Sequence, residues 1–316
     1  MNDIKTICTK CKKKPAIFFR KYSGEKLCKK CFLISVENRI KSTISRFKMF
    51  KEDDRIAVGV SGGKDSIVLL YVLNKIEEKF PDSELIAITI DEGIKGYREE
   101  SLKIARKIAR SLAVKHVVFS FQDFFDYTLD QIVEKSLNGG LKLAPCTFCG
   151  VLRRKALNLA AREVHADKLA MAHNLDDESQ TILINLLRGD VERLARLEPA
   201  QFFIHPKFIP RVKPLLEVPE NEVTLYAYLR ELDFFSNPCP YAQYALRGDI
   251  RDFLNKMEEK RPGTKFTILN THLKLLPILK QAFRKKVSLK ECKICGEPTP
   301  HEICKACELL QKLKRL

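Results

Sequence analysis

Apolar positions along the chain follow two alternating patterns. Short continuous apolar runs, which are typical of buried strands, cover residues 55–60, 85–90, 116–120 and 168–172. Apolar residues spaced three and four apart predict helices over 67–79, 98–112, 123–135, 177–187, 220–232, 248–257 and 264–283. Strands that alternate with helices predict an α/β fold, in which helices cover both faces of a parallel sheet.

Two further segments frame this core. Ile40, Ile44 and Phe47 share one face of a predicted helix that joins the N-terminal residues to the first strand. Five prolines between residues 197 and 220 predict an irregular loop.

Three polar segments follow predicted strands. They are the turn 61–66, Asp91 and the segment 173–177. Ligands of parallel α/β sheets bind outside the carboxyl ends of the strands. We therefore expect these segments to converge on one crevice.

Composition is that of a folded protein. The chain has 316 residues, of which 45% are hydrophobic, enough for a core and too many for a disordered chain. No apolar run reaches the roughly 18–20 residues that span a bilayer. The first five residues also lack the apolar stretch of a signal peptide. We expect a cytoplasmic protein with no membrane partner.

The formal net charge of +17 comes from the two ends of the chain. Residues 1–50 hold 14 basic and three acidic side chains, residues 280–316 hold ten and four, and residues 51–279 hold 33 of each. Four lysines at 10 and 12–14 stand close to Phe18, Phe19 and Tyr22. Basic ends with nearby aromatic residues predict arms that bind nucleic acid.

Eight of the eleven cysteines form two quartets of paired C-x-x-C turns. The quartets are Cys8, Cys11, Cys28 and Cys31, and Cys292, Cys295, Cys304 and Cys307. This spacing predicts two structural Zn²⁺ sites with four thiolate ligands each, and the alternative is eight free thiols. Because the quartets are complete, His272 and His301 are expected to be surface residues.

The turn Ser61-Gly-Gly-Lys-Asp-Ser66 follows a predicted strand and opens a predicted helix. Paired glycines let backbone N–H groups approach an anion, and a helix N-terminus favours negative charge. The turn is not a Walker A loop, because Lys64 precedes Asp65 rather than Ser or Thr. It predicts a phosphate site, with a purely structural glycine turn as the alternative.

Three cysteines remain: Cys146, Cys149 and Cys239. Three thiolates suit a [4Fe–4S] cluster with one open iron, or a redox or persulfide pair with a bystander, and the alternative is three buried structural cysteines. The first two precede a predicted helix with basic residues at 153–155, a setting that stabilises thiolates.

Together these motifs resemble the tRNA 2-thiolation enzymes of the PP-loop ATP pyrophosphatase superfamily, the TtcA/TtuA group and its archaeal and eukaryotic cytosolic relatives. The resemblance covers nearly the whole chain and includes 173–178, 187–191 and both quartets. It implies a PP-loop (adenine nucleotide α-hydrolase-like) sheet flanked by zinc fingers. The expected divisions are a finger over 1–33, a linker helix over 34–52, a catalytic domain over 53–285 and a finger over 286–316.

The family's functional residues carry over to matching positions. The resemblance implies cluster ligands at Cys146, Cys149 and Cys239. The expected catalytic residues are Lys64, Arg153 and Asp177, with Cys146 and Cys239 of the cluster set. Arginine stays charged and can only stabilise charge. Asp176, the neighbour of Asp177, is the expected helix N-cap. The implied ATP contacts are Gly59, Val60, Ser61, Gly62, Gly63, Lys64, Asp65, Ser66, Ile90, Ala172 and His173.

The resemblance implies replacement of a tRNA uridine C2 oxygen by sulfur. ATP with Mg²⁺ would adenylate that oxygen, and sulfide on the open iron would displace AMP. Wobble position 34 is favoured over position 54. Sulfur would come from a ubiquitin-like sulfur-carrier protein or free sulfide, and relatives imply a homodimer. The Lys-rich composition and the two fingers favour an archaeal protein. Three alternatives stay open: a cluster-free persulfide at Cys146 and Cys239, an amide-forming or lysidine-type ligase, and a zinc-finger RNA-binding protein.

Overall fold

The computed structural model describes residues 6–141, 143–201, 205–241, 247–283 and 289–315. Its helices and strands alternate over most of the chain. In order they are β1 (Phe18–Arg20), β2 (Glu25–Leu27), α1 (Lys29–Arg46), β3 (Arg55–Gly59), α2 (Lys64–Glu77), β4 (Glu84–Asp91), α3 (Arg98–Ser111), β5 (Lys115–Ser120), α4 (Phe121–Phe125), α5 (Leu129–Asn138), α6 (Pro145–Glu163), β6 (Lys168–Ala170), α7 (Leu175–Leu187), α8 (Val191–Ala195), β7 (Arg211–Val212), α9 (Glu220–Leu229), α10 (Arg247–Lys260), α11 (Thr264–Phe283), β8 (Lys290–Glu291), β9 (Pro298–Thr299) and α12 (Lys305–Lys314).

The central sheet has five parallel strands in the order β5-β4-β3-β6-β7. From β3 the chain winds outward through β4 and β5, then returns to place β6 on the other side of β3. The strand order therefore reverses between β3 and β6, which is where open α/β sheets bind their ligands. This topology confirms the predicted α/β fold with a parallel sheet.

Alternating side chains of β3 supply two separate cores. Ile56 and Val58 pack on the face covered by α1, α2 and α9, whereas Ala57 packs on the face covered by α4, α5 and α6. Successive side chains of a strand point to opposite faces, so a strand buried on both faces is apolar throughout. A smaller apolar cluster joins α7, α8 and α11. No helix of the described residues is long and apolar enough to cross a membrane.

The two four-cysteine modules lie on opposite faces of this sheet. The N-terminal finger, residues 6–33, contributes Cys8, Leu27 and Cys28 to the core on the α1–α2–α9 face. The C-terminal finger, residues 289–315, contributes Cys292 and Cys304 to the core on the α6 face. Each face of the sheet therefore carries one basic module.

One predicted helix is two. The helix expected over 123–135 breaks at Asp126, which adopts a left-handed φ of 63° between α4 and α5. Each half has its own capping box, Ser120 with Asp123 and Thr128 with Gln131. Two N-terminal caps within eight residues are a start signal that the apolar spacing alone does not reveal.

Other boundaries also shift. The loop predicted over 197–220 contains β7, a two-residue edge strand that pairs with β6. Helix α1 ends at Arg46, so Phe47 lies beyond it. Cys146 and Cys149 do not precede their helix but lie in its first turns, because Pro145 opens α6. The expected division between 285 and 286 falls outside the described residues.

Candidate active site and metal centres

The turn after β3 is held by its own hydroxyl groups. The Ser66 Oγ accepts a hydrogen bond from the Ser61 N–H (3.1 Å) and donates one to the Gly63 carbonyl (2.8 Å), and Ser61 Oγ accepts from the Gly63 N–H (3.3 Å). Gly62 has a φ of 88°, and a Cβ there would lie 2.3 Å from the Ser101 carbonyl oxygen. Only glycine fits at position 62.

This turn forms one wall of a 360 Å³ crevice at the carboxyl ends of β3, β4 and β6. The crevice has the size of a small-molecule site. Most of the expected ATP contacts line it, together with two residues of the expected sulfur site: Gly59, Val60, Ser61, Gly63, Asp65, Ser66, Ile90, Ala172, His173, Arg153 and Cys239. The structure therefore brings the glycine turn and the third cysteine into one space.

Lys64 and Asp91 face elsewhere, and four more expected residues do not line the crevice: Gly62, Cys146, Cys149 and Asp177. The Lys64 ammonium lies 2.6 Å from Glu220 Oε1 and 3.1 Å from Asp65 Oδ2. Burial works to lower the pKa of Lys64, but the charges of Asp65 and Glu220 outweigh it and raise that pKa. Asp91 accepts a hydrogen bond from the Gly93 N–H (2.8 Å) and lines a separate hollow. The sequence identified the end of β4 as polar but not the side chain that enters the crevice.

That side chain is Glu92. It is buried between two guanidinium groups: its Oε2 lies 2.8 Å from Arg98 Nε, and its Oε1 lies 2.6 Å from Arg153 Nε. Arg98 also donates to the Ser61 carbonyl (3.0 Å) and to the Ile90 carbonyl. Glu92 and Arg98 were missed in the sequence, where their only signal is a position just beyond a strand and at the start of a helix.

The cysteines of α6 differ in exposure. Cys149 is buried, and its Sγ accepts a hydrogen bond from Arg153 Nη2 at 3.1 Å. Burial raises the pKa of the Cys149 thiol to about 11, against the opposing charge of Arg153. Cys146 is exposed, with its Sγ 3.5 Å from the Tyr241 carbonyl oxygen. Burial, then the charge of Cys239, raises the Cys146 pKa.

Cys239 reaches the crevice on a segment attached to the glycine turn. The Phe235 N–H donates to the Gly62 carbonyl at 2.9 Å, and the ring of Phe235 packs edge-on against Tyr97 at 5.2 Å between centroids. The segment that carries Cys239 is thus anchored to the glycine turn through Phe235, although the two lie far apart in sequence.

The three thiols fit a cluster better than a single ion. Their sulfur atoms do not all lie within 4.8 Å of one another, and the described residues provide no fourth ligand group at that spacing. Three soft thiolates with no fourth protein ligand suit an iron–sulfur cluster that keeps one open iron. Cys146, Cys149 and Cys239 are the residues that would hold it.

The two quartets are arranged differently. All four sulfur atoms of each quartet lie within 4.8 Å of one another. Cys11 Sγ is 3.8 Å from Cys28 Sγ, and Cys295 Sγ is 3.7 Å from Cys304 Sγ. Zn–S bonds of about 2.3 Å at tetrahedral angles separate sulfur atoms by about 3.8 Å, so both quartets fit Zn²⁺.

The expectation for His272 is wrong. His272 belongs to α11, and its side chain is buried, with Nε2 3.0 Å from the Leu197 carbonyl oxygen. His301 is exposed as expected. Neither histidine is part of a quartet in the described residues.

His173, which lines the crevice, stands directly before the N-cap of α7. Asn174, not Asp176, is the N-cap: its Oδ1 accepts from the Asp177 N–H (3.0 Å), and Asp177 Oδ2 accepts from the Asn174 N–H (3.3 Å). Asp176 is buried, where it accepts from the Glu220 N–H (2.8 Å) and pairs with Lys265. The N-cap expectation for Asp176 is therefore wrong.

Asp177 and His173 have shifted protonation. Burial raises the pKa of Asp177 to about 6, while Arg247, 3.1 Å from its Oδ1, opposes the shift. Burial lowers the pKa of His173 to about 4, so this imidazole is neutral at pH 7. Its buried Nδ1 has no hydrogen-bond partner among the described residues. A neutral, unpartnered imidazole nitrogen at a crevice wall suits a hydrogen bond to a bound ligand.

Known proteins match this chain closely. A family model described as a PP-loop domain matches residues 34–258, and one described as the N-terminal LIM domain of 2-thiouridine synthetase TtuA matches 7–33. The tRNA 2-thiolation protein NcsA of Haloferax volcanii is 37% identical, over 97% of this chain and 99% of its own. The cytoplasmic tRNA 2-thiolation protein 1 of Danio rerio is 36% identical, over 98% and 88%.

A solved structure matches as well. The U34-tRNA thiolase NcsA from Methanococcus maripaludis, determined with its [4Fe–4S] cluster, superposes with a TM-score of 0.85 at 38% identity, over 98% of this chain and 97% of that one. The sequence and structure matches thus extend across both fingers and the central sheet.

Proposed function

The chain belongs to the PP-loop family of tRNA 2-thiolation proteins, and from this premise we propose that it is an ATP-dependent sulfurtransferase that makes 2-thiouridine at tRNA position 34. The carrying observation is the single crevice that joins the glycine turn to Arg153 and Cys239. Position 34 is supported by the uridine named for the Methanococcus thiolase.

The glycine turn and the start of α2 would hold the phosphates of ATP. Their backbone N–H groups and the helix dipole favour an anion at this place. Asp65 lines the same wall and offers a carboxylate to Mg²⁺. Lys64 would exchange its contact with Glu220 for a phosphate oxygen. Ile90, Ala172 and His173 would line the remainder of the nucleotide site.

The reaction needs two displacements. The uridine O2 attacks the α-phosphorus of ATP and pyrophosphate leaves; sulfide then attacks C2, and AMP departs with the former O2. The Asp177 carboxylate takes up the uridine N3 proton during the first step, because it is ionised at neutral pH. Arg153, held by Glu92, stabilises the negative charge that develops on the phosphate.

Cys146, Cys149 and Cys239 would hold the cluster. When bound, a [4Fe–4S] cluster with three cysteine ligands leaves one iron open for sulfide, so no cysteine needs to be oxidised. The sulfur donor is proposed to be a ubiquitin-like sulfur-carrier protein or free sulfide.

The two fingers would bind tRNA, one from each face of the sheet. Lys10, Lys12, Lys13 and Lys14 are exposed on the N-terminal finger. Structural Zn²⁺ in each quartet would keep these charges on a rigid surface. We place the enzyme in the cytoplasm, as the name of the Danio relative supports, and expect a homodimer.

Anaerobic reconstitution tests this function. The full chain is loaded with iron and sulfide and incubated with tRNA, ATP and sulfide, and nucleosides are measured by mass spectrometry. Cys239→Ser should lose both the iron–sulfur absorption and 2-thiouridine, and Lys64→Ala should lose pyrophosphate release. Lys103→Ala, which removes only a surface ion pair with Glu100, is the matched control.

Other outcomes point to the alternatives. Full activity in an iron-free sample would support a persulfide at Cys146 and Cys239. Pyrophosphate release that survives Cys146→Ala would support a ligase. A pyrophosphate signal that stays at background and depends on none of tRNA, ATP and Lys64 would support an RNA-binding protein without catalysis.

A further inference from the structure

The proposed nucleotide site and the proposed cluster site are joined by one unbroken chain of charged contacts. Arg98 Nη1 donates to the Ser61 carbonyl (3.0 Å), and its Nε lies 2.8 Å from Glu92 Oε2. Glu92 Oε1 lies 2.6 Å from Arg153 Nε, and Arg153 Nη2 donates to Cys149 Sγ at 3.1 Å. The chain runs from the phosphate-binding turn to a cluster cysteine through one carboxylate.

We propose that Glu92 is a positioning residue that couples nucleotide binding at the glycine turn to the reactivity of the Cys149 thiol. The proposal rests on the proposed function, because it takes the crevice as an ATP site. Glu92 touches neither the turn nor the cysteine. It acts by fixing two guanidinium groups: that of Arg98 contacts the turn, and that of Arg153 contacts Cys149.

Burial makes this arrangement stiff. The Glu92 side chain is 3% exposed and that of Arg98 is 7% exposed. The Glu92 carbonyl accepts the Leu129 N–H, so the backbone at the end of β4 is held by α5. The contact between Glu92 and Arg98 Nε is an ion pair without hydrogen-bond geometry, and breaking a buried pair by removing one partner is strongly unfavourable. Arg98 is thus held by burial, whereas Arg153, with a side chain 48% exposed, is held by its contacts with Glu92 and Cys149.

The charges also favour coupling. Two guanidinium groups and one carboxylate leave one positive charge unbalanced in a cluster where Glu92 and Arg98 are buried and the Arg153 side chain is 48% exposed. A phosphate at the turn adds a negative charge near Arg98, so Arg98 attracts Glu92 less strongly and Glu92 attracts Arg153, which donates to Cys149 Sγ, more strongly. Because Arg98 also binds the Ile90 carbonyl, it contacts the turn and the neighbouring strand end together.

The test measures how ATP changes the reactivity of Cys149. Full-length, cluster-free protein with zinc in both fingers is treated with iodoacetamide, with and without ATP·Mg²⁺, and alkylation of Cys149 is followed by peptide mass spectrometry. Linked sites typically change each other's equilibria about fivefold or more, and we expect ATP to change the Cys149 rate by about that factor. In Glu92→Gln the alkylation rates with and without ATP should be equal, so their ratio should be about one.

Two variants isolate the cause. Arg98→Lys keeps the charge but loses the planar fork, so it should also lose most of the ATP effect. Glu100→Gln removes a carboxylate from the exposed face of the same helix and should leave the effect of ATP on Cys149 unchanged. Direct shielding of Cys149 by ATP would persist in Glu92→Gln, so a ratio retained in that variant, with ATP still bound, overturns the proposal.

Cluster-loaded protein gives a second readout. ATP affinity of the wild type should differ between cluster-free and cluster-loaded protein, and Glu92→Gln should abolish that difference at a temperature where circular dichroism shows the variant still folded. A wild type in which ATP alters neither Cys149 nor the cluster overturns the proposal. Neither assay contains tRNA, so coupling without thiolation would reject the proposed function and not this inference.

Discussion

Lys155 Nζ lies 3.1 Å from Cys295 Sγ, and 3.9 and 3.8 Å from the sulfur atoms of Cys304 and Cys307. Lys155 belongs to α6, the helix that carries Cys146 and Cys149 in its first turns. Four thiolates around one Zn²⁺ keep a net charge of minus two, which the ammonium offsets in part. The helix of the proposed sulfur site thus also serves the C-terminal finger.

We expect Lys155→Met to weaken zinc binding in that finger. Hydrogen bonds to charged groups contribute about 1.5–3 kcal/mol, so zinc release to a chelator should be roughly tenfold faster or more. Lys305→Met, in the same finger but paired with the exposed Glu308, should release zinc at the wild-type rate. Equal rates in all three proteins would show that Lys155 contributes nothing to the site.

Gly62→Ala should abolish tight ATP binding. The added Cβ would lie 2.3 Å from the Ser101 carbonyl oxygen, and its φ of 88° is strained for any L side chain. Such strain costs about 1–3 kcal/mol before any displacement of the turn, so affinity measured by calorimetry should fall roughly tenfold or more. Gly63→Ala is the matched control, because its nearest neighbour would be 3.5 Å away. Similar affinities for the two variants would contradict this view of the turn.

Glu222→Ala should loosen the N-terminal finger. Glu222 accepts from Arg20 Nε at 3.0 Å and Nη2 at 2.6 Å, and the two side chains are 0% and 2% exposed. Removing one member of a buried pair typically costs about 3–5 kcal/mol, which thermal unfolding should report. Glu25→Ala, which breaks the partly exposed contact to the same arginine, should cost much less. Equal losses would mean that Glu222 is not the anchor.

The proposed role of Asp177 sets a pH dependence. Its pKa is raised from 3.8 to about 6 by burial, with Asp65 and Glu178 adding to the shift and Arg247 opposing it. Because the carboxylate is the active form, thiolation should be full above about pH 7 and should fall as the pH drops through 6. Asp177→Asn should be inactive at every pH, with its fold retained.

The raised pKa of Asp177 makes stability fall as the pH rises, whereas activity rises. A carboxyl whose folded pKa is raised stabilises the fold below its unfolded pKa, and this contribution disappears as the pH rises through 6. Asp177→Asn should therefore gain stability relative to the wild type between pH 4 and 7, as measured by denaturant unfolding. A gain that shrinks with rising pH would show that burial does not dominate at this site.

Local signals made much of the site predictable. The C-x-x-C pairs and the glycine turn are complete within a few residues, and the alternation of strands and helices fixed the edge of the sheet where they meet. Glu92 was not predictable, because Asp91 and Glu92 differ only in which side of the strand end they face. The burial of His272 depends on α11 packing on α7, a contact between distant segments that periodicity does not encode.

The anchor of the N-terminal finger has a consequence for synthesis. Arg20 and Glu222 are 202 positions apart. At about 5–20 residues per second, the finger emerges from the ribosome roughly 10–40 s before its partner on α9 exists. During that interval Arg20 has no buried carboxylate from the body to meet. Until then the finger would depend on its β1–β2 hairpin, its packing on α1 and the Zn²⁺ proposed for its cysteine quartet.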